Sequence, residues 1–412
     1  MAQIKLRRRF YLITAVVVMT FAGTIYAWSI TKAPFEIVYD GVVVNAAQLG
    51  LNYSLSIVFF CIGGLASGLI SKFTTATLRF IIGALMLSAS YIFSSLQIAT
   101  LPHTENYFLL FLSYSLLGGL GIGIVYNTVI STVNSWYPDK RGFSSGLMFM
   151  GFGVSMLVIG RIADLLGNSE AVGWRSTYVI IAIALGIVFL AAAIIIKPPP
   201  PDTVLPEARQ TKKSNVGEVI KDYSALEMIK RPSFILVFIY TTILASSGNA
   251  AISFAKDIVL DVGSTEGFAI TAVGMLGVSN GVGRLVSGWL FDKFGIRQTQ
   301  FVSSAILVLA PLTVVAAIAL NSLLLGVIGL CLCGFSLGFA PTTCSVFATG
   351  FYGLKNFPLN FGILSLILIP ASFAATLVGN IKVSTGEFIT AFIVLTALAV
   401  AGFFVNLAIR KP

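Results

Sequence analysis

Apolar runs of about twenty residues, each bounded by a short polar stretch, recur from one end of the chain to the other. A run of that length, wound as a helix, crosses the hydrocarbon of a bilayer. The runs predict membrane-crossing helices near 11–33, 47–71, 79–99, 107–133, 143–165 and 175–197. After a polar stretch, further helices are expected near 233–256, 267–291, 298–319, 322–347, 359–380 and 386–409. The runs are apolar on all sides, without the period-two alternation of a membrane barrel. The pattern therefore predicts an all-α integral membrane protein with twelve transmembrane helices. These divide into two six-helix bundles, 1–197 and 232–412, with a cytoplasmic linker at 198–231.

Composition sharpens this. Of 412 residues, 57% are hydrophobic and 10% charged, with a mean hydropathy of +0.95; a soluble chain carries about a quarter charged residues. The linker opens with Pro198 to Pro201 and carries Lys212, Lys213, Lys221, Lys230 and Arg231, which suits a connection rather than a core. A surface helix is expected near 216–229. At the N-terminus, Lys5, Arg7, Arg8 and Arg9 resemble the start of a secretion signal. The apolar run behind them is too long for one and lacks a small-residue cleavage site, so it is read as the first span.

The net charge of +10 is not spread evenly. With the N-terminus inside, twenty of the 26 Lys and Arg fall on the inner side and five fall outside: Lys32, Arg161, Arg175, Lys256 and Lys382. Such an excess marks the cytoplasmic face, so both termini are expected in the cytoplasm and the protein in the inner membrane. Nucleic acid is excluded as a partner, since no basic stretch is interleaved with stacking aromatics. Cys61, Cys331, Cys333 and Cys344 lie in apolar runs and His103 in a loop. Their spacing fits no zinc pattern, so neither a metal nor a cofactor is expected. No polar catalytic pair lies within the spans, which argues against an enzyme.

Arg284 is the basic residue that falls on neither side. It sits well inside the apolar run 267–291, one helical turn after Asn280. A guanidinium cannot shed its charge, and placing it in hydrocarbon costs from about 3 to above 10 kcal/mol. The sequence puts no carboxylate in the middle of any span. An anionic ligand then becomes the natural counter-charge, because the planar fork donates two parallel hydrogen bonds to a carboxylate. Asn280 shares that helical face and could bind a second ligand oxygen; a packing bond between helices is the competing reading. Asn249 on the seventh span is a further lining candidate. Lys32 and Glu36, one turn apart at the end of the first span, suit a solvated pair.

Several motifs point further. Gly288 to Arg297 resembles the signature loop of the major facilitator superfamily, Gly-x-x-x-Asp-Arg/Lys-x-Gly-x-Arg/Lys. The equivalent loop of the first half, Ser67-Gly-Leu-Ile-Ser-Lys72-Phe, lacks the acid and the second glycine. Gly118 to Asn127, Ser135 to Gly142, Asn360-Phe361-Gly362 and Tyr26-Ala-Trp28 are similar to stretches of the oxalate–formate antiporter relatives. The resemblance implies the major facilitator fold, a monomer, and exchange or symport of small carboxylates, with protons as a coupling partner. It implies a substrate-binding role for Arg284, Asn280 and Tyr126. Trp28, Phe335 and Phe339 are candidates to wall an apolar pocket. Asp292, Lys293, Arg297, Asp139 and Arg141 become candidate gating residues at the cytoplasmic face. Where the oxalate exchanger carries a second cation on the eleventh span, this chain has Leu368. One cation suits a monoanion such as lactate, pyruvate, glycolate or formate, whereas an unpaired second carboxylate in a dry site would cost several kcal/mol.

Overall fold

Among the described residues of the computed structural model, eleven helices are long and apolar enough to cross a bilayer. The structure describes residues 2–39, 42–43, 46–98, 107–200, 203, 205–206 and 221–412; His103 and the first five residues of the expected surface helix near 216–229 lie outside them, and of the rest of that stretch only Ala225–Ile229 is helical. One long helical stretch, Glu266–Ala319, accounts for two expected spans. It breaks at Gly295, whose backbone takes φ 80° and ψ 177°, a conformation that glycine adopts without the Cβ clash of other residues. Split there, it gives an eighth and a ninth span, and the described helices then supply the twelve expected.

The chain forms two compact units. The first comprises Met1–Tyr137 and Gly151–Leu205, the second Pro138–Met150 and Pro206–Pro412. In the first unit the opening helix already begins at Ala2 and runs to Ala22, so its basic residues are helical; a 3-10 turn, Gly23–Ala27, and a short helix, Trp28–Thr31, complete the first span. Ala46–Ile70, Ala76–Gln97 and Gly173–Ile195 form the second, third and sixth. The fourth enters through a π-helical stretch, Phe111–Gly118, and continues as Gly119–Asn134. Gly119 and Gly123 bring that helix onto the backbone of the second span, against the carbonyls of Ser56 and Phe60, the close approach that small residues permit between membrane helices.

The fifth helix, Arg141–Gly167, gives its first ten residues to the second unit. That unit also holds Pro232–Asp261, Glu266–Ala319, Leu323–Gly350 and Phe388–Ala408. Its eleventh span is split into Phe357–Ser365 and Leu368–Thr385. Pro370 explains the split: it has no N–H to give to the Leu366 carbonyl, which accepts instead from Ile369 at 3.0 Å. Ahead of the seventh span, Ser224 and Glu227 cap the helix Ala225–Ile229 reciprocally. The expected pair at the end of the first span also forms, with Lys32 Nζ 2.9 Å from Glu36 Oε1.

Candidate functional site

The eighth span buries Arg284 to 2% exposure and Asn280 to 5%. The four-residue spacing stacks them on one face, and Arg284 Nε donates to Asn280 Oδ1 at 2.9 Å. Arg284 Nη1 donates to the backbone carbonyl of Phe149, also at 2.9 Å. Two bonds from one planar group fix its orientation as well as its position. Both acceptors are neutral, one an amide oxygen and the other a peptide carbonyl that has a second lone pair to offer.

Neighbouring backbones press in around this turn. A Cβ on Gly338 of the tenth span would lie 2.9 Å from the Arg284 nitrogen and would also strike the Asn280 carbonyl; one on Gly146 of the fifth helix would lie 2.5 Å from the Arg284 carbonyl. The Arg284 carbonyl also accepts from Ser287 Oγ at 2.9 Å and Thr342 Oγ1 at 3.3 Å. The arginine thus stands on a helix clamped from two sides by glycine-faced neighbours. Phe149, besides its carbonyl, stacks its ring on Phe361 with centroids 6.3 Å apart, and Phe361 stacks on Phe357 at 5.4 Å. Asn360 in turn donates to the Tyr223 carbonyl at 3.1 Å. The Asn360-Phe361-Gly362 motif therefore ties the opening of the eleventh span to the residue that holds the guanidinium.

The other expected residues fall into three places. Phe335 and Phe339 lie on the tenth span with rings 5.4 Å apart, and the Phe335 carbonyl abuts Gly283, next to Arg284. Asn249 is half-buried on the seventh span. Tyr126 and Trp28 belong to the first unit. There Tyr126 joins a cluster with Phe60 and Phe152, each 5.1 Å away, and Trp28 packs on Tyr114 at 4.5 Å while its Nε1 donates to the Leu49 carbonyl at 3.1 Å.

The signature loop also acquires a definite contact. Asp292 Oδ1 accepts from the Gly142 N–H at 2.9 Å and Oδ2 from the Phe143 N–H at 2.6 Å. These are first-turn donors of the fifth helix, without acceptors inside it, and a carboxylate there also meets the positive end of the helix dipole. Lys293 lies over the Trp289 ring at 4.5 Å, and Arg297 donates to the Ile409 carbonyl at 3.3 Å. Arg141 opens the capped helix, with Asp139 just ahead of it. Asp292→Ala is expected to strand both amides and to lower the thermal midpoint of the purified protein by a few degrees, since a lost cap costs about 0.5–2 kcal/mol. Asp292→Asn, with one carbonyl oxygen left to accept, should fall between. An unchanged midpoint in the alanine variant would show that the carboxylate does not support the helix.

Sequence reasoning missed Phe149 and Gly338. A backbone carbonyl acting as acceptor has no side-chain signature, so the Phe149 contact had no signal to find. Gly338 did have one: it follows Gly334 by four residues, a small-x-x-x-small spacing that marks close helix packing.

A model of the Major Facilitator Superfamily matches residues 10–367. The chain belongs to that superfamily. An uncharacterized MFS-type transporter of Escherichia coli, YhjX, is 28% identical over 375 residues, spanning 87% of this chain and 85% of that protein. The oxalate:formate antiporter of Oxalobacter formigenes is 25% identical over 404 residues, spanning 97% of this chain and 91% of the antiporter. Human monocarboxylate transporter 12 is 22% identical over 347 residues, 79% of this chain and 65% of that protein. Among solved structures, the E. coli fucose:proton symporter FucP aligns at TM-score 0.70 and 15% identity over 98% of each chain. The proton:xylose symporter XylE aligns at TM-score 0.70 and 12% identity, over 98% of this chain and 97% of that one. At these identities the structures show the fold alone. The protein is a multi-pass membrane transporter of the major facilitator type, and its relatives are transporters rather than enzymes.

Proposed function

We propose that this transporter carries small monocarboxylates of the lactate, pyruvate, glycolate or formate class by alternating access, with Arg284 as the group that receives the carboxylate. The observation that carries the reading is the buried guanidinium oriented by two neutral acceptors, Asn280 Oδ1 and the Phe149 carbonyl. An oriented fork is ready for a carboxylate without further ordering. Because Asn280 uses its oxygen on Arg284, its amide N–H groups are the part left for a ligand oxygen. Tyr126, Trp28, Phe335, Phe339 and Asn249 are the remaining proposed contacts, and Asp292 with its neighbours Lys293, Arg297, Asp139 and Arg141 the proposed gate. The names of two relatives, an oxalate:formate antiporter and a monocarboxylate transporter, support carboxylate cargo.

Charge bookkeeping suggests how cargo and movement are coupled. The arginine is permanently charged, and occluding a site with a net charge is costly. A bound monoanion neutralises it, so the loaded form is the cheaper one to reorient. Anion exchange and proton symport both satisfy this, and counterflow at fixed pH in proteoliposomes separates them. The excess of Lys and Arg on the inner side supports a cytoplasmic location for both termini.

Competition against labelled lactate in proteoliposomes tests the substrate class. Monocarboxylates are expected to compete, and oxalate to compete poorly. Leu368→Lys is expected to shift the ratio towards oxalate by about tenfold or more, since each 1.4 kcal/mol of added ion pairing is a factor of ten. Oxalate uptake by the unaltered protein as fast as that of any monocarboxylate would overturn the assignment.

A further inference from the structure

The acceptor of Arg284 Nη1, the Phe149 carbonyl at 2.9 Å, belongs to the first part of the fifth helix, Arg141–Gly167. That helix changes allegiance along its length. Pro138–Met150 pack with the second unit, and the helix from Gly151 onward packs with the first. Beyond the change, a Cβ on Gly151 would lie 2.6 Å from the Val16 carbonyl, and the Phe152 ring meets Tyr26 at 5.2 Å and Tyr126 at 5.1 Å. One continuous helix is thus gripped by different partners on either side of residue 150.

Few side chains do the gripping on the second unit. Asp292 accepts from the Gly142 and Phe143 N–H groups at 2.9 and 2.6 Å. Gly142 lies on the Gly288 backbone and Gly146 on the Arg284 carbonyl, in both cases too close for a Cβ. Ser145 Oγ pairs with Ser345 Oγ of the tenth span at 2.9 Å, and the Phe149 ring stacks on Phe361. Arg284 adds a permanent, buried charge to this set.

A carboxylate draws on the same nitrogens. A guanidinium presents two paired edges, Nε with Nη2 and Nη1 with Nη2. Asn280 engages Nε and Phe149 engages Nη1. A forked carboxylate therefore meets a nitrogen already in use on either edge, and an ionised acceptor bonds about twice as strongly as a neutral one.

We propose that Arg284 ties the start of the fifth helix to the second unit, and that a carboxylate on its Nη1–Nη2 edge loosens the tie. With the site empty, releasing Phe149 would deprive a buried charge of an acceptor, so residues 141–150 stay in place. With an anion bound, the acceptor is supplied and the segment is freed to move. Cargo binding and movement are then linked through one side chain. The loosening step rests on the carboxylate reading of Arg284; the tie itself does not.

Hydrogen–deuterium exchange of the full-length protein in nanodiscs, followed on peptides covering 138–150 and 151–167, tests it. The Gly142 and Phe143 amides, bonded to Asp292 across to the next element, report release directly. Without cargo, Arg284→Gln is expected to exchange about tenfold faster than the unaltered protein over 138–150, and at the same rate over 151–167. Lactate is expected to speed exchange over 138–150 in the unaltered protein and to change nothing in Arg284→Gln. Equal cargo-free rates over 138–150 in the two proteins overturn the inference. A rise of the same size over 151–167 also overturns it, because the whole helix has then loosened. A failure of the cargo reading looks different: lactate changes nothing in either protein, and the tie stands on the cargo-free difference. Should Arg284→Gln fail to fold, the unaltered protein decides, with whichever of lactate, glycolate or formate it takes up. Faster exchange confined to 138–150 supports the link, and unchanged exchange there overturns it.

Discussion

Arg284→Gln, reconstituted at the same folded amount as the unaltered protein, is expected to lose saturable monocarboxylate uptake by about a hundredfold or more. Two charge-assisted hydrogen bonds are worth about 1.5–3 kcal/mol each, and 3 kcal/mol alone is roughly a factor of a hundred and fifty in affinity. The loss should appear in binding, not only in rate, because the proposed role is to hold the anion. Arg284→Lys separates charge from shape. Lysine keeps a cation but replaces the fork by a point donor on a flexible stem. It can reach only one of the two acceptors that now orient the guanidinium, Asn280 Oδ1 and the Phe149 carbonyl. It should bind substrate weakly and discriminate poorly among anions. The control is the folded amount, since removing the guanidinium also leaves the buried Phe149 carbonyl short of a donor. Near-normal uptake in Arg284→Gln would end the proposal that this residue receives the carboxylate.

The same region shows what the chain discloses before it folds. Spans are legible because each must be apolar over a bilayer's thickness, and that requirement acts residue by residue. Arg284 and Asn280 were legible for a related reason: a permanent charge inside such a run is too costly to be incidental, and four-residue spacing fixes a shared face. The break at Gly295 was readable within the Gly288 to Arg297 motif, although the surrounding helix runs almost unbroken through it. What could not be read were contacts made by backbone. The Phe149 carbonyl and the Gly142 and Phe143 amides that meet Asp292 carry no side-chain signal. Arg79, in the first turn of the third span and only 6% exposed, is the instructive miss. Its place at the mouth of a span looks the same in sequence whether it is solvated or buried, and packing against neighbouring helices decides which. Tyr126 and Trp28, singled out as site residues, sit in aromatic clusters of the first unit, an environment that apolar helices rich in aromatics also create without any ligand.

Gly338→Leu is expected to remove nearly all folded protein, the largest stability effect of any single change proposed. Overpacking a core usually costs about 1–3 kcal/mol because side chains shift aside. Here they cannot, since the atoms a Cβ would meet at Gly338 are the Asn280 carbonyl, the Arg284 nitrogen at 2.9 Å and the Gly283 carbonyl carbon at 3.0 Å, all backbone of the eighth span. Relief requires the tenth span to move off the eighth, which would also separate Thr342 from the Arg284 carbonyl. Gly338→Ala should already lower the thermal midpoint in detergent and the yield of monodisperse protein. Gly274, on the same eighth span, provides the control: a Cβ there meets nothing within 4 Å. Gly274→Ala should be neutral or stabilising by up to about 1 kcal/mol, the gain in helix propensity alone. If the two alanine variants melt together, the close approach of the tenth span to the arginine's helix is not what holds the site in shape. If they part as expected, the glycine at 338 sets how near a neighbour can come to the turn that carries the charge.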